Sequence, residues 1–315
     1  MPNTSSPVVI GTRASKLALT QTEMVRAALL DAHPGLSVGV EHISTAGDRI
    51  QDRPLDAIGG KALFVAEIET ALRSGRIQLA VHSAKDVPSD LPADMRIAAY
   101  LPRADARDVL VSRAGSSLAE LPQGARVGTS SPRRASQLRS RYPHLELVDI
   151  RGNVDTRLRK LDDGQYDAII LAAAGITRLG LGSVITQFIP LDDMIPCGGQ
   201  GAIALEVHVG DARTLELVAP LNHVPTSIAL AAERAYLARI GGSCSTPLGV
   251  HARLVGDNLH LAAMIGTSDG RSMTEHHRGA ASDAAQLGIQ LADSMLANGG
   301  AELLELDDFS TARGG

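Results

Sequence analysis

Cysteine is nearly missing from this chain, and its scarcity narrows the chemistry. Of 315 residues two are cysteine, Cys197 and Cys244, too few for a disulfide framework, and no CxxC pair marks a zinc site. Tryptophan is absent and aromatics make up 2%, so cores must be built from Leu, Ile, Val and Ala, and stacking platforms for single-stranded nucleic acid are lacking. A basic excess is lacking too. Lys+Arg number 30 against 35 Asp+Glu, net −5, so no global field draws the chain to nucleic acid or an acidic membrane. No apolar run approaches the roughly 20 residues of a membrane span, and Met1–Pro7 has no basic segment followed by an apolar core. The ten histidines are scattered, and neither a Walker loop nor a Gly-x-Ser-x-Gly elbow occurs, so no metal site is expected. These absences predict a cytoplasmic, soluble α/β protein whose anion sites are local concentrations of Arg.

Between the gaps the chain is regular. Val8–Thr12 reads as a buried strand, and Ser15 caps a helix with Val25, Ala28 and Leu29 on one face. Residues 44–60 carry no sustained period, and a loop that long is usually functional or mobile. Phe64, Ile68 and Leu72 mark a helix, and Gln78–His82 a strand running into Lys85-Asp86-Val87-Pro88. From Pro132 to Leu179 helices and strands alternate with short connections, the pattern of parallel sheets with helices on both faces. Gly198–Ala202 reads as a hinge returning the chain to the first domain. After a helix over 228–239 come three antiparallel strands near 250–255, 259–265 and 272–277. A last helix carries Ala284, Leu287, Leu291 and Met295 on one face.

Three helix starts are decorated with cations: Arg13-Ala14-Ser15-Lys16, Ser130-Ser131-Pro132-Arg133-Arg134, and Arg151-Gly152-Asn153 with Arg157. A helix N-terminus is already positive, so each exposed cation there costs about 0.3–1 kcal/mol unless an anion answers it. Together they point to a polyanionic ligand, carboxylate or phosphate. Pro88 holds Val87 extended, so Asp86 projects in a fixed direction. It either bonds its own turn or serves as an ionised carboxylate that stabilises a cation. Cys244 lies between Gly241-Gly242 and Pro247-Leu248-Gly249, and the loop alone leaves open a buried inert thiol or a reactive one.

Taken together these segments resemble the porphobilinogen deaminase family. The resemblance is carried by Gly11-Thr12-Arg13-Ala14-Ser15, Gly59-Gly60-Lys61-Ala62-Leu63-Phe64 and Val81-His82-Ser83-Ala84-Lys85-Asp86-Val87-Pro88. It continues through Val127–Ser131 with Arg133-Arg134, Arg151–Val154 with Thr156-Arg157-Leu158, and Ala174–Gly180. Gly199-Gln200-Gly201-Ala202, Glu233-Arg234 and Gly242–Pro247 complete it, in the family's order over nearly the whole chain.

The resemblance implies two periplasmic-binding-protein-like doubly wound α/β domains with mixed, mostly parallel sheets. A small α+β C-terminal domain with a three-stranded antiparallel sheet and helices follows. The expected divisions are 1–103 with 200–221, 104–199, and 222–315. The implied reaction joins four porphobilinogen molecules head to tail with loss of ammonia and releases linear hydroxymethylbilane by hydrolysis. The implied cofactor is a covalent dipyrromethane, thioether-linked to Cys244. Asp86 is then the catalytic carboxylate. Arg13, Ser15, Lys61, Lys85, Thr129, Ser130, Arg133, Arg134, Arg151, Arg157, Arg178 and Gln200 hold the carboxylate-rich chain of rings, and residues 44–60 cover the site. A monomer acting without nucleic acid or membrane is expected. The rival readings are a cytosolic two-domain carboxylate-binding protein without catalysis and a phosphate-ligand transferase.

Overall fold

The computed structural model describes residues 6–45, 65–241 and 246–306. Its strands, in chain order, are β1 (Val8–Thr12), β2 (Val38–His42), β3 (Leu79–Ser83), β4 (Met95–Tyr100), β5 (Asp108–Ser112), β6 (Arg126–Gly128) and β7 (Glu146–Val148). They continue as β8 (Ala168–Ala172), β9 (Gln187–Phe188), β10 (Ile203–His208), β11 (Leu248–Val255), β12 (Asn258–Gly266) and β13 (Ser272–Ala280). The α-helices are α1 (Lys16–Ala32), α2 (Ala66–Arg73), α3 (Pro132–Arg141), α4 (Val154–Asp162), α5 (Ala173–Arg178), α6 (Ala212–Val218), α7 (Val224–Ile240) and α8 (Ala284–Met295). The chain divides into two compact units, Met1–Ala104 with Gly201–Ser227, and Asp105–Gln200 with Ile228–Gly315.

The first unit holds a five-stranded sheet in the order β2-β1-β3-β10-β4. β1 runs parallel to β2 and β3, while β10 is antiparallel to both β3 and β4. Helices α1 and α2 supply the crossovers that parallel neighbours require. One apolar layer gathers Ile10, Leu29, Leu79, Val81, Leu205 and Leu217, and the opposite layer Ile43, Ile68, Leu72, Ile77 and Ala80. Both faces are thus covered, as a doubly wound sheet demands.

The second unit repeats the plan with β7-β6-β8-β5-β9. β6 runs parallel to β7 and β8, and β5 is antiparallel to β8 and β9. In each sheet the reversed fourth strand is the one the chain enters just after leaving the other unit: β5 after Ala104, β10 after Gln200. No crossover helix precedes these strands, so nothing forces them parallel. These are two mixed α/β sheets, each with four of its five strands running one way, as the resemblance implies for doubly wound domains. Strand β10 itself is an addition to the sequence reading, which sees only a hinge there. Its run Ile-Ala-Leu-Glu-Val is buried on both faces and shows no alternation to betray it.

The C-terminal sheet, β11-β12-β13, is antiparallel throughout and is backed by α8, whose Ala284, Leu287, Leu291 and Met295 are buried. Most of the residues expected to form a third division lie in the second unit, where Arg139 of α3 donates to the Ser268 carbonyl at 2.7 Å. Val250 N likewise donates to the Pro196 carbonyl at 2.8 Å. Among the described residues no helix is long and apolar enough to cross a membrane.

Candidate functional site

In the first unit the candidate residues collect at the carboxyl edge of the parallel strands, where open α/β sheets bind ligands. β1 ends at Thr12, and Ser15 caps α1, its hydroxyl accepting from Ala18 N at 3.3 Å. Arg13 sits half-buried between them. β3, paired to β1, ends at Ser83 and passes into a single 3-10 turn, Ala84–Asp86. That turn is pinned by Ala84 N to the Ala202 carbonyl at 3.0 Å, and buried Val87 anchors its exit. Lys85 and Asp86 are half-buried. Among the described residues no hydrogen bond ties the Asp86 carboxylate to its own turn.

In the second unit β6 and β8 deliver a second set to the same kind of edge. Ser131 caps α3 by accepting from Arg134 N at 3.4 Å, and Pro132 occupies the first helical position. Thr129 is buried and accepts from Ser131 N at 3.2 Å; the Ser130 hydroxyl donates to the Ile150 carbonyl. Asn153 caps α4, accepting from Thr156 N at 3.0 Å. Arg151 pairs with Asp149 at 3.0 Å, and the Arg157 Nε donates to the Gly152 carbonyl at 2.7 Å. Arg178 closes α5, half-buried.

Arg133 and Arg134 are placed differently from the other candidates. Both are buried at the start of α3, directed at Asp108 on β5. Arg134 reaches one Asp108 oxygen through Nε at 3.1 Å and Nη2 at 2.7 Å, and Arg133 Nη1 lies 2.8 Å from the other. Each also bonds a backbone carbonyl, Arg133 that of Ile195 and Arg134 that of Ile170, and Arg133 lies against the Cys197 side chain as well. Gln200 joins the same network, donating to Asp108 at 2.9 Å and to the Ala106 carbonyl at 2.7 Å. Burial alone would raise the Asp108 carboxyl, but the two guanidiniums outweigh it and hold it well below the usual carboxylate range.

One carboxylate against two buried cations leaves the cluster positive. The consequence shows at Arg157, pushed down to about 10 by burial first and then by the charge of Arg134. Burial also lowers Arg178. Such an edge favours a ligand with several carboxylates, the chemistry a dipyrromethane bearing acetate and propionate groups would present. Among the described residues no group of three or more His, Cys, Asp or Glu could hold a metal ion. Lys61, Cys244 and the stretch 46–64 lie outside the described residues.

The sequence reading missed Asp108, and it named Glu233 within the resemblance without assigning it a role. Glu233 is fully buried on α7, accepting from Gly199 N at 2.7 Å and Ala252 N at 2.8 Å, so it ties the turn at 198–201 to β11. In that turn Gly199 and Gly201 take φ of 78° and 88°, which other residues adopt only with strain. The available signal was a carboxylate at the edge of an apolar run, beside an arginine: Asp108 between Arg107 and Val-Leu-Val, Glu233 between Leu-Ala-Ala and Arg234.

Two family models match the chain in succession. Residues 8–216 match the family model for the porphobilinogen deaminase dipyromethane cofactor binding domain, and residues 227–297 that for the porphobilinogen deaminase C-terminal domain. Porphobilinogen deaminase from Roseiflexus sp. (strain RS-1) is 61% identical over 297 residues, covering 94% of this chain and 98% of that protein. The Syntrophotalea carbinolica protein of the same name is 48% identical over 307 residues, covering 97% and 98%. Among solved structures, a putative methionine-binding lipoprotein from Bacillus subtilis aligns with a TM-score of 0.43 at 12% identity, covering 69% of this chain and 90% of that one. With both family models matched in order and relatives this similar over nearly its whole length, the chain belongs to the porphobilinogen deaminase family.

Proposed function

We propose that the chain is a transferase that condenses four porphobilinogen molecules head to tail, with loss of ammonia, and releases linear hydroxymethylbilane. The observation that carries the chemistry is the gathering of Arg133, Arg134, Arg151, Arg157 and Arg178, all buried or half-buried, at the carboxyl edge of the second sheet. Substrate and growing chain bear an acetate and a propionate on every ring, so they answer those cations. When bound, a dipyrromethane supplies the pyrrole end to which each new unit is joined. Cys244 is its proposed tether, and residues 222–315 the proposed third domain that carries it. Arg151, Arg157 and Arg178, with Thr129 and Ser130, would hold ring carboxylates; Arg133, Arg134 and Gln200 would act behind them through Asp108. In the first unit Arg13, Ser15, Lys61 and Lys85 would take further carboxylates. The Asp86 carboxylate would accept from pyrrole N–H groups and stabilise positive charge as ammonia leaves the substrate. A tethered primer makes each coupling effectively intramolecular. The protein is proposed to work as a cytoplasmic monomer.

Family membership disfavours the carboxylate-binding protein without catalysis. Intact mass under denaturing conditions separates the readings. The purified protein is expected to carry a two-pyrrole adduct that disappears in Cys244→Ala. An unmodified protein that still turns over porphobilinogen overturns the cofactor assignment.

A further inference from the structure

We propose that His82, held by Glu206, is a positioning residue that sets the direction in which Asp86 leaves the sheet. The proposal rests on the reading of Asp86 as the carboxylate that meets substrate. His82 is the fourth residue of β3 and lies one residue before the end of that strand, which runs directly into the turn Ala84–Asp86. Its side chain is buried, and its Nε2 lies 2.9 Å from Glu206 Oε2 on the neighbouring β10. Alternation along β3 places Leu79 and Val81 in the layer with α1, and Ala80 in the layer with α2. His82 therefore shares the α2 side of the sheet with Ala80, and Ser83 the α1 side.

Ser83 is held on its own side by Gln21 of α1, whose Nε2 donates to the Ser83 hydroxyl at 2.9 Å. The last two residues before the turn are thus fastened by polar pairs on opposite faces. Beyond them the ladder continues one step further, through Ala84 N to the Ala202 carbonyl at 3.0 Å. A slip of one residue would exchange the two faces and put each polar side chain against the wrong partner, so the pairs hold the register of the turn.

Packing alone does not account for Glu206. It is buried, and among the described residues its Oε1 has no hydrogen-bond partner. A second carboxylate, Glu69 of α2, is close enough for its charge to matter: burial first, and then Glu206, raises the Glu69 carboxyl. The nearby cation, Arg73, is shared between Glu69 at 3.5 Å and Asp94 at 2.7 Å. An apolar pair of similar shape in place of His82 and Glu206 would be nearly as stable, since replacing both partners of a buried hydrogen bond leaves no polar group unsatisfied. What the polar pair adds is a directional link between β10 and the end of β3.

The test compares His82→Asn with His82→Gln, because the Gln amide reaches where the far ring nitrogen lies and the Asn amide does not. His82→Asn is expected to lower kcat ten- to a hundredfold with KM changed less than threefold, since about 1 Å of misplacement costs a factor near a hundred. His82→Gln is expected to recover most of that loss. The double variant His82→Leu/Glu206→Leu, which leaves neither partner unpaired, is expected to fold and to show the same kcat defect. Equal kcat in the Asn and Gln variants, parental kcat in a folded double variant, or a defect confined to KM overturns the proposal. Asp86→Asn is measured alongside. If it retains turnover, the reading of Asp86 fails; if it is inactive while His82→Asn matches the parent, only the positioning role fails.

Discussion

Arg134 grips Asp108 through two nitrogens on one oxygen, Nε at 3.1 Å and Nη2 at 2.7 Å, with the carboxylate wholly out of water. Arg133 holds the other oxygen at 2.8 Å, so one anion answers two buried cations. Asp108→Asn removes that anion and turns an amide N–H toward a guanidinium. Uncompensated buried charge typically costs about 3–5 kcal/mol, and urea unfolding at neutral pH is expected to show a loss of that order. The pH dependence gives a second readout. The folded-state pKa of Asp108 is depressed, so its contribution is full above the unfolded carboxyl value of about 3.9 and is lost as pH falls toward the folded one. The stability gap between parent and Asp108→Asn is therefore expected to narrow in acid; a gap constant down to pH 3 contradicts the assignment.

Arg157 is the cation on which the surplus charge registers. Burial and then Arg134 bring its pKa to about 10, and its Nε is committed to the Gly152 carbonyl at 2.7 Å. Replacing it with Gln removes a charge-assisted contact worth about 1.5–3 kcal/mol, so KM for porphobilinogen is expected to rise roughly ten- to a hundredfold. A KM within about threefold of the parent in a folded Arg157→Gln would remove Arg157 from ligand binding.

The contrast between these arginines and the helix caps shows what could be read without coordinates. Ser15 and Asn153 as caps, and Pro132 at the first helical position, follow from bonds closed within one turn, so the local sequence displays them. The partner of Arg134 lies 26 residues upstream on strand β5, and nothing near Arg133 or Arg134 announces it. Read locally they look like two more exposed cations; paired with Asp108 they become the buried support behind Arg157. β10 was hidden for a related reason. A strand covered on both faces has no alternating pattern, and the chain reaches it only after an excursion through the other unit. The Asp86 turn was legible because Pro88 acts on its immediate neighbour, whereas the His82–Glu206 pair that anchors it spans 124 residues.

The C-terminal division makes its own prediction where α8 meets α7. A Cβ built at Gly288 would stand 2.2 Å from the Ala232 carbonyl oxygen and 3.0 Å from Tyr236 N, both backbone atoms that cannot swing aside. In a free helix Gly→Ala gains about 1 kcal/mol. Here forcing the two helices apart is expected to outweigh that gain, with a net loss of about 1–3 kcal/mol typical of overpacking. A lowered thermal midpoint for Gly288→Ala is the expected result; an unchanged or raised midpoint contradicts this close approach.

Asp86→Asn separates charge from shape at the proposed reacting carboxylate. The amide fits where the carboxylate stood, the turn remains pinned by Ala84 N to Ala202, and buried Val87 still seals the exit. Folding and thermal midpoint are therefore expected to match the parent. What disappears is the negative charge that answers a cation forming on the substrate as ammonia departs. Losing one preorganised electrostatic group of that kind lowers kcat by roughly a hundred- to a thousandfold. Ground-state binding rests mainly on arginines in this scheme, so KM should move far less than kcat. Steady-state kinetics on a variant shown to be folded decide the matter: a kcat within tenfold of the parent would take Asp86 out of the reaction, and a defect expressed only in KM would make it a binding group.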